Sequence, residues 1–164
     1  MVEDIVRACG FLTLGTRFKR IGDRLQSDTQ RIIDDHGVAL QASQGPFLRA
    51  LDQFGPLTIG ELAEAVGVTQ PGATRGVAEL VKLGLVAARA GRDDQRQRVI
   101  SLTAKGRRAV EIGRSEIWPR IEAAVADLCA DLAGPLLDQL SQIEDRLAER
   151  PLERRPHATN RRAS

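Results

Sequence analysis

The sequence predicts a mainly α-helical chain with one small antiparallel β hairpin. Three observations predict it. Apolar residues recur at helical spacing through most of the chain. Between Gly84 and Thr103 that spacing gives way to two short strand-like runs around a polar loop. Glycines and prolines fall between the periodic stretches, where breaks are needed. The chain has 164 residues, 42% apolar and 28% charged, an ordinary globular composition. At that length about 70% of the unfolded surface can be buried, so neither disulfide nor metal is needed for folding. Two cysteines, Cys9 and Cys129, make no disulfide scaffold and fit a reducing compartment. The longest apolar runs, such as Leu83 to Ala88, are interrupted by Gly84 and stopped by Arg89, far short of a bilayer span. Met1-Val2-Glu3-Asp4 lacks the basic start of a signal peptide. A cytoplasmic protein with no membrane partner is expected.

The first long helix is predicted from about Glu3 to Asp35. Leu14, Phe18, Ile21, Leu25 and Ile32 form an a/d-type seam along it. Gly37, placed as the left-handed residue after the cap, ends it. A short helix follows from about Pro46 to Gln53, with Phe47, Leu48, Leu51 and Phe54 expected inward, and Gly55-Pro56 breaks it. Thr58-Ile59-Gly60-Glu61 is a capping box. The helix it opens turns Leu62, Ala63 and Val66 inward and stops at Gly67. Thr69 can cap the next helix, and Pro71 is tolerated in its first turn. That helix runs to Gly84. Two helices joined by a short turn containing glycine are a helix-turn-helix pattern.

Leu85 to Arg89 and Arg98 to Leu102 read as paired strands around the loop Gly91 to Gln97, and a hairpin after a helix-turn-helix is a wing. Thr103 caps a long helix to about Cys129, with Ile117, Ile121, Val125 and Leu128 on one side and a kink expected at Pro119. Gly134-Pro135 marks a new start, and Leu136, Leu140, Ile143 and Leu147 form another seam. The expected organisation is thus a helical dimerisation domain from residues 1–36 plus 115–150, a winged helix-turn-helix over 37–114, and a disordered basic tail over 151–164.

Net charge is only +2, but it is unevenly spread. Residues 69–108 hold nine basic groups against three acids, on an otherwise acidic chain. A local basic segment is a polyanion footprint, although a charge run alone is more often a solvated face. The helix from Thr69 to Leu83 sharpens the choice. Ala73, Val77, Leu80 and Val81 share one face. Pro71, Arg75, Ala78 and Lys82 share the opposite one, with Gln70 and Thr74 beside them. Arg pairs with guanine, Gln with adenine, and Thr bonds to bases or touches a thymine methyl. Small residues let the backbone approach a groove, and Thr69 with the helix start can meet a phosphate. A capped helix before it and a basic hairpin after it favour the reading of double-stranded DNA over a plain amphipathic helix.

Glu61-Leu62-Ala63-Glu64-Ala65-Val66-Gly67-Val68-Thr69-Gln70-Pro71-Gly72-Ala73-Thr74-Arg75 resembles the helix-turn-helix of MarR-type transcription regulators. Gly84-Leu85-Val86, Asp94-Gln95-Arg96 and Val99-Ile100-Ser101-Leu102-Thr103-Ala104-Lys105-Gly106 are similar to that family's wing and exit signature. The resemblance covers about Phe11 to Leu147. It implies a homodimer whose first and last helices build the dimerisation domain, with two winged lobes in successive major grooves of a pseudo-palindromic operator. It also implies that Arg96 enters the minor groove with Asp94 orienting it, and that Arg92 and Arg98 lie near phosphates. A narrow A·T-rich minor groove attracts Arg. Asp93-Asp94 also suits a hairpin turn. Repression is the usual mode of such proteins.

The seams at Leu14 and at Leu136, Leu140, Ile143 and Leu147 support a dimer independently, the other option being an intramolecular bundle. Members of the family respond to small aromatic or phenolic ligands or to oxidants. A pocket between the first two helices and the long fifth helix would draw on Phe18, His36, Phe47, Arg49 and Trp118, although each also suits a core or capping role. Cys9 lies where the peroxide-sensing branch has its thiol, but the tyrosines that support that thiol have no counterpart, because this chain contains no Tyr. Both cysteines read as inert. No enzyme is expected, and no cofactor or metal: there is no Ser/His/Asp set, no Cys-x-x-Cys and no phosphate loop. The rival reading is an architectural or protein-binding winged helix without operator specificity.

Overall fold

The computed structural model describes residues 2–90 and 98–155. It divides into two units, Met1–Ala124 and Val125–Ser164. Helix α1 (Ile5–Ala8) opens the first, with the Asp4 carboxylate accepting from the backbone N–H groups of Val6 and Arg7. A 3₁₀ turn (Gly10–Thr13) and α2 (Leu14–Asp35) follow. The single helix expected from Glu3 to Asp35 is therefore broken. Gly10 adopts φ +55°, which no right-handed helix can continue through, and the Thr13 hydroxyl closes the corner by donating to the Val6 carbonyl at 2.7 Å. At the other end the expectation holds: His36 caps α2 and Gly37 stands at φ +64°.

Helix α3 (Gly45–Phe54) buries Phe47, Leu48 and Leu51. Phe54, expected inward, is 60% exposed. It is the last helical residue before the chain swings away at Gly55, and Leu57 takes the next place against the core. Leu57–Thr58 forms β1, a strand not anticipated from sequence because two residues carry no period. The Thr58–Glu61 capping box is present in both directions, with the Glu61 carboxylate 2.7 Å from the Thr58 N–H. It starts α4 (Ile59–Val66), which ends at left-handed Gly67. Thr69 then caps α5 (Gln70–Lys82) through the Gly72 N–H.

Strands β2 (Val86–Ala90) and β3 (Arg98–Leu102) pair antiparallel, Ala88 opposite Ile100, and β1 joins β3 on its other edge. The fold is mainly α with a small antiparallel sheet, as expected, but the sheet has three strands. Helix α6 (Ala104–Ile112) is capped by Thr103. It passes through a π-helical turn, Gly113–Ile117, into α7 (Trp118–Cys129). The irregularity expected at Pro119 thus takes the form of a widened turn just ahead of it. Proline offers no N–H to the preceding turn and its ring crowds that carbonyl, so the turn opens. Of the side expected to be apolar, Ile117 is buried and Ile121 half-buried, while Leu128 is 66% exposed.

Helices α3, α4, α5 and the sheet enclose one core, in which Leu48, Leu62, Leu80 and Ile100 are fully buried. Truncating any of these to Ala is expected to cost about 2–5 kcal/mol. Ile33, Ala42 and Ile117 form a second cluster, where the end of α2 meets the π turn. The second unit contains α8 (Leu136–Glu149), which begins after Gly134 at φ +86°. Its seam residues Leu136 and Leu140 are half-buried. Ile143 is 36% exposed and Leu147 43% exposed. Within the expected disordered tail, Leu152–Arg154 makes a 3₁₀ turn, and 156–164 lie outside the described residues.

A Cβ at Gly106 would overlap the Leu85 carbonyl oxygen, whereas one at Gly60 would meet nothing closer than 4.0 Å. Gly106→Ala should lower the urea midpoint by the equivalent of more than about 2 kcal/mol. Gly60→Ala should raise it by up to about 1 kcal/mol. The backbone N–H and hydroxyl of Thr58 hold the Glu61 carboxyl below the usual carboxylate range. A carboxyl depressed on folding adds stability above its unfolded pKa and loses it as pH falls through the folded one. Glu61→Gln should therefore flatten the acid limb of a pH–stability curve below about pH 4.5, the ordinary glutamate value, and change little near pH 7.

Candidate nucleic-acid interface

Helix α5 presents its outer face by the same spacing that seats its inner one. Ala73, Val77 and Leu80 are buried, and Gln70, Pro71, Thr74, Arg75, Ala78 and Lys82 are exposed. Val81, expected inward, is 44% exposed. At 3.6 residues per turn it lies roughly 70° from the centre of the buried arc, too far round to be covered. Small residues set how deeply the helix sits. The Phe47 ring packs so closely on Gly76 that a Cβ there would stand 2.9 Å from it.

The outward side chains are not equivalent. The Thr69 hydroxyl oxygen accepts from Gly72 at 3.3 Å, so its own hydrogen is left to donate. The Thr74 hydroxyl donates to the Gln70 carbonyl at 2.9 Å, which ties it to its own helix. Lys82 is held by Glu79 at 2.7 Å, an exposed i,i+3 pair that occupies the ammonium. Arg75 and Gln70 stand in the first two turns, where base-edge contacts are made by a helix entering a groove end-on. Arg98 is exposed at the start of β3, opposite Ala90. Arg92, Asp94 and Arg96 lie outside the described residues.

A second feature lies in the first unit, on the other side of α3 from α5. A cavity of ≈ 400 Å³ is walled by Ile33 of α2, Val38 and Leu40 of the following loop, Leu48 of α3, Val110 of α6, Ile117 of the π turn, and Trp118 and Ile121 of α7. Its lining is mostly apolar, and among the described residues Arg49 is its one charged side chain. The Arg49 guanidinium lies over the Trp118 ring, 5.4 Å from its centroid, a cation–π stack. It also reaches Asp52 at 3.3 Å. Asp52 has a closer partner in Arg114, whose guanidinium nitrogen is 2.7 Å from both its oxygens. That bond holds the Arg114 pKa above its usual value.

Of the five residues expected in this pocket, the structure brings together Arg49 and Trp118. Phe18 is excluded by helix length: it precedes Ile33 by fifteen positions, roughly 22 Å along α2, and is 41% exposed. Phe47 faces the other way, onto Gly76 of α5. His36 caps α2, with Nδ1–H donating to the Ile32 carbonyl at 2.7 Å and Nε2 lying 4.0 Å from Glu116. Sequence reasoning missed Ile33, Val38 and Ile121. Ile33 could have been found, since it sits one position from the α2 seam and faces differently from it. Asp52 was missed because nothing in the sequence marks its contact with Arg114, 62 positions away.

Among the described residues no group of three or more potential metal ligands occurs, and no helix is long and apolar enough to cross a membrane. The seam residue Leu14 is half-buried in α2.

The sequence model of the MarR family matches residues 36–97. Among curated proteins none matches the sequence. Solved structures are similar over most of the chain. The transcriptional regulator MosR of M. tuberculosis, solved in complex with DNA, is 25% identical, with a TM-score of 0.65 over 82% of this chain and 93% of that one. The transcriptional regulator BldR from Sulfolobus solfataricus is 22% identical, with a TM-score of 0.63 over 88% of this chain and 99% of that one. BpsR of Bordetella bronchiseptica, whose DNA binding is regulated by 6-hydroxynicotinic acid, is 21% identical, with a TM-score of 0.65 over 80% and 92%.

Proposed function

We propose that this chain, a MarR-type winged helix, is a sequence-specific double-stranded DNA-binding transcription regulator. It works as a homodimer on a pseudo-palindromic operator, in the cytoplasm and without enzymatic activity. The observation that carries the reading is the outer face of α5, where Gln70, Thr74 and Arg75 project from the first turns of a helix seated on its neighbours by Ala73 and Gly76. These are side chains that match base edges, on a helix whose other face is fully committed to the core. Thr69 and Pro71 complete the helix start, and Arg92, Asp94, Arg96 and Arg98 of the wing are assigned to the minor groove and flanking phosphates. The half-exposed seams at Leu14 and at Leu136, Leu140, Ile143 and Leu147 are assigned to the two-fold contact.

The mode is repression relieved by a small aromatic or phenolic effector. The support is the cavity beside Trp118, which is large enough for a single aromatic ring system and has one cation on its wall.

The pure protein should bind DNA from upstream of its own gene at least a thousandfold more tightly than scrambled DNA. Arg75→Ala should cost about 1–3 kcal/mol on the upstream DNA and far less on the scrambled one. Equal binding of both DNAs, or none, would return the chain to the architectural or protein-binding reading. The single tryptophan reports on the cavity. A panel of benzoates and phenols should contain members that quench Trp118 fluorescence saturably and release DNA over the same concentration range. Quenching without release would remove the effector role.

A further inference from the structure

Lys105 belongs to the basic segment 69–108, and charge alone places it among the phosphate ligands. Its position says otherwise. Helix α5 ends in a Schellman-type turn: the Leu85 N–H donates to the Leu80 carbonyl at 3.0 Å and the Gly84 N–H to Val81 at 2.9 Å. Three successive carbonyls beyond the helix then need donors, and all three are supplied from the cap and first turn of α6. The Lys105 ammonium donates to Leu83 at 2.8 Å. The Thr103 hydroxyl donates to Gly84 at 2.7 Å, and the Thr103 N–H to Leu85 at 3.0 Å. Gly106 has no side chain, which lets α6 lie directly on the Leu85 carbonyl. The other end of α6 carries Ala109 and Val110 of the cavity wall.

We propose that Lys105 is a positioning residue for DNA reading, not a phosphate ligand. With Thr103 it clasps the C-terminal end of α5 and fixes the angle at which Gln70 and Arg75 are presented. The ammonium suits the task twice over, as a hydrogen-bond donor and as a cation at the negative end of the helix dipole. The inference rests on the DNA-reading function proposed above.

The test uses the full chain with Lys105→Met, which keeps the stem and loses the donor, and Lys105→Arg, which keeps a donor. Amide hydrogen exchange over residues 79–86 is measured without DNA. Affinities for upstream and scrambled DNA are measured over a range of salt. Exchange at the end of α5 should quicken in the Met variant and not in the Arg variant. The Met variant should lose about three- to tenfold in the ratio of upstream to scrambled affinity, as for the net contribution of one ordinary hydrogen bond. Its log–log salt slope should match the parent's. A slope smaller by about 0.9, with both DNAs weakened alike, would make Lys105 a phosphate ligand and overturn the proposal. An unchanged affinity ratio would overturn it too. Unchanged exchange would overturn the clasp whatever the DNA results. If the parent prefers neither DNA while exchange responds as expected, the failure lies with the DNA-reading function and the clasp stands as a structural device.

Discussion

The close contact between the Phe47 ring and the bare backbone of Gly76 decides the layout of the winged lobe. A ring needs an area without a Cβ to lie this close, and only glycine gives that within a helix. Once the ring is there, α5 cannot ride higher on α3, and Ala73 on the preceding turn must be small as well. Val77 and Leu80 then reach down to Leu62 and Ile100, which closes the core against the sheet. The exposed face of α5 is the by-product. Everything inward is spoken for, so Gln70, Thr74 and Arg75 stand exposed on the outer side.

The same contact explains how far the sequence could be read. Most caps and breaks were legible almost to the residue, although the break at Gly10 was not. Thr58, Thr69 and Thr103 each bind the backbone N–H expected of them, and Gly37, Gly67 and Gly84 take the left-handed conformation. These are local effects, set within four residues. The hairpin strands were legible because their period changes. Apart from the break at Gly10, what failed was what depends on partners far along the chain. Phe47 looks like any aromatic fit for a ligand pocket until Gly76 is seen beneath it. Phe54 has helical spacing to be buried, but the chain leaves before anything covers it. The two-residue strand β1 exists only because β3 lies beside it.

The cavity shows a related limit. An apolar wall can be guessed from periodicity, but its polar furniture cannot. Asp52 sits at 15% side-chain exposure between two arginines from different elements. Arg114 takes it in the closer geometry, and Arg49 is the looser partner, free to stack on Trp118. A carboxylate with a second cation in hand does not depend on the first. Arg49 can therefore turn toward the cavity without stranding a charge in a poorly solvated place.

The widened turn at Gly113–Ile117 is, in terms of helix phase, an extra residue inserted into a spiral. Every side chain after it is turned by about 100° relative to an unbroken helix. With that offset Ile117, at the end of the turn, and Ile121 beyond it face α2 and its following loop, while Val110 ahead of it reaches both the core under the sheet and the cavity. Neighbours are shared across the turn: Ile112 before it packs with Ile33 and Ile117, and Trp118 after it packs against both clusters, so the bulge sets the phase in which the two halves meet them. Loss of one residue within it would restore a regular helix and put one half or the other out of register. The length of this segment is therefore constrained more tightly than the identity of its exposed residues.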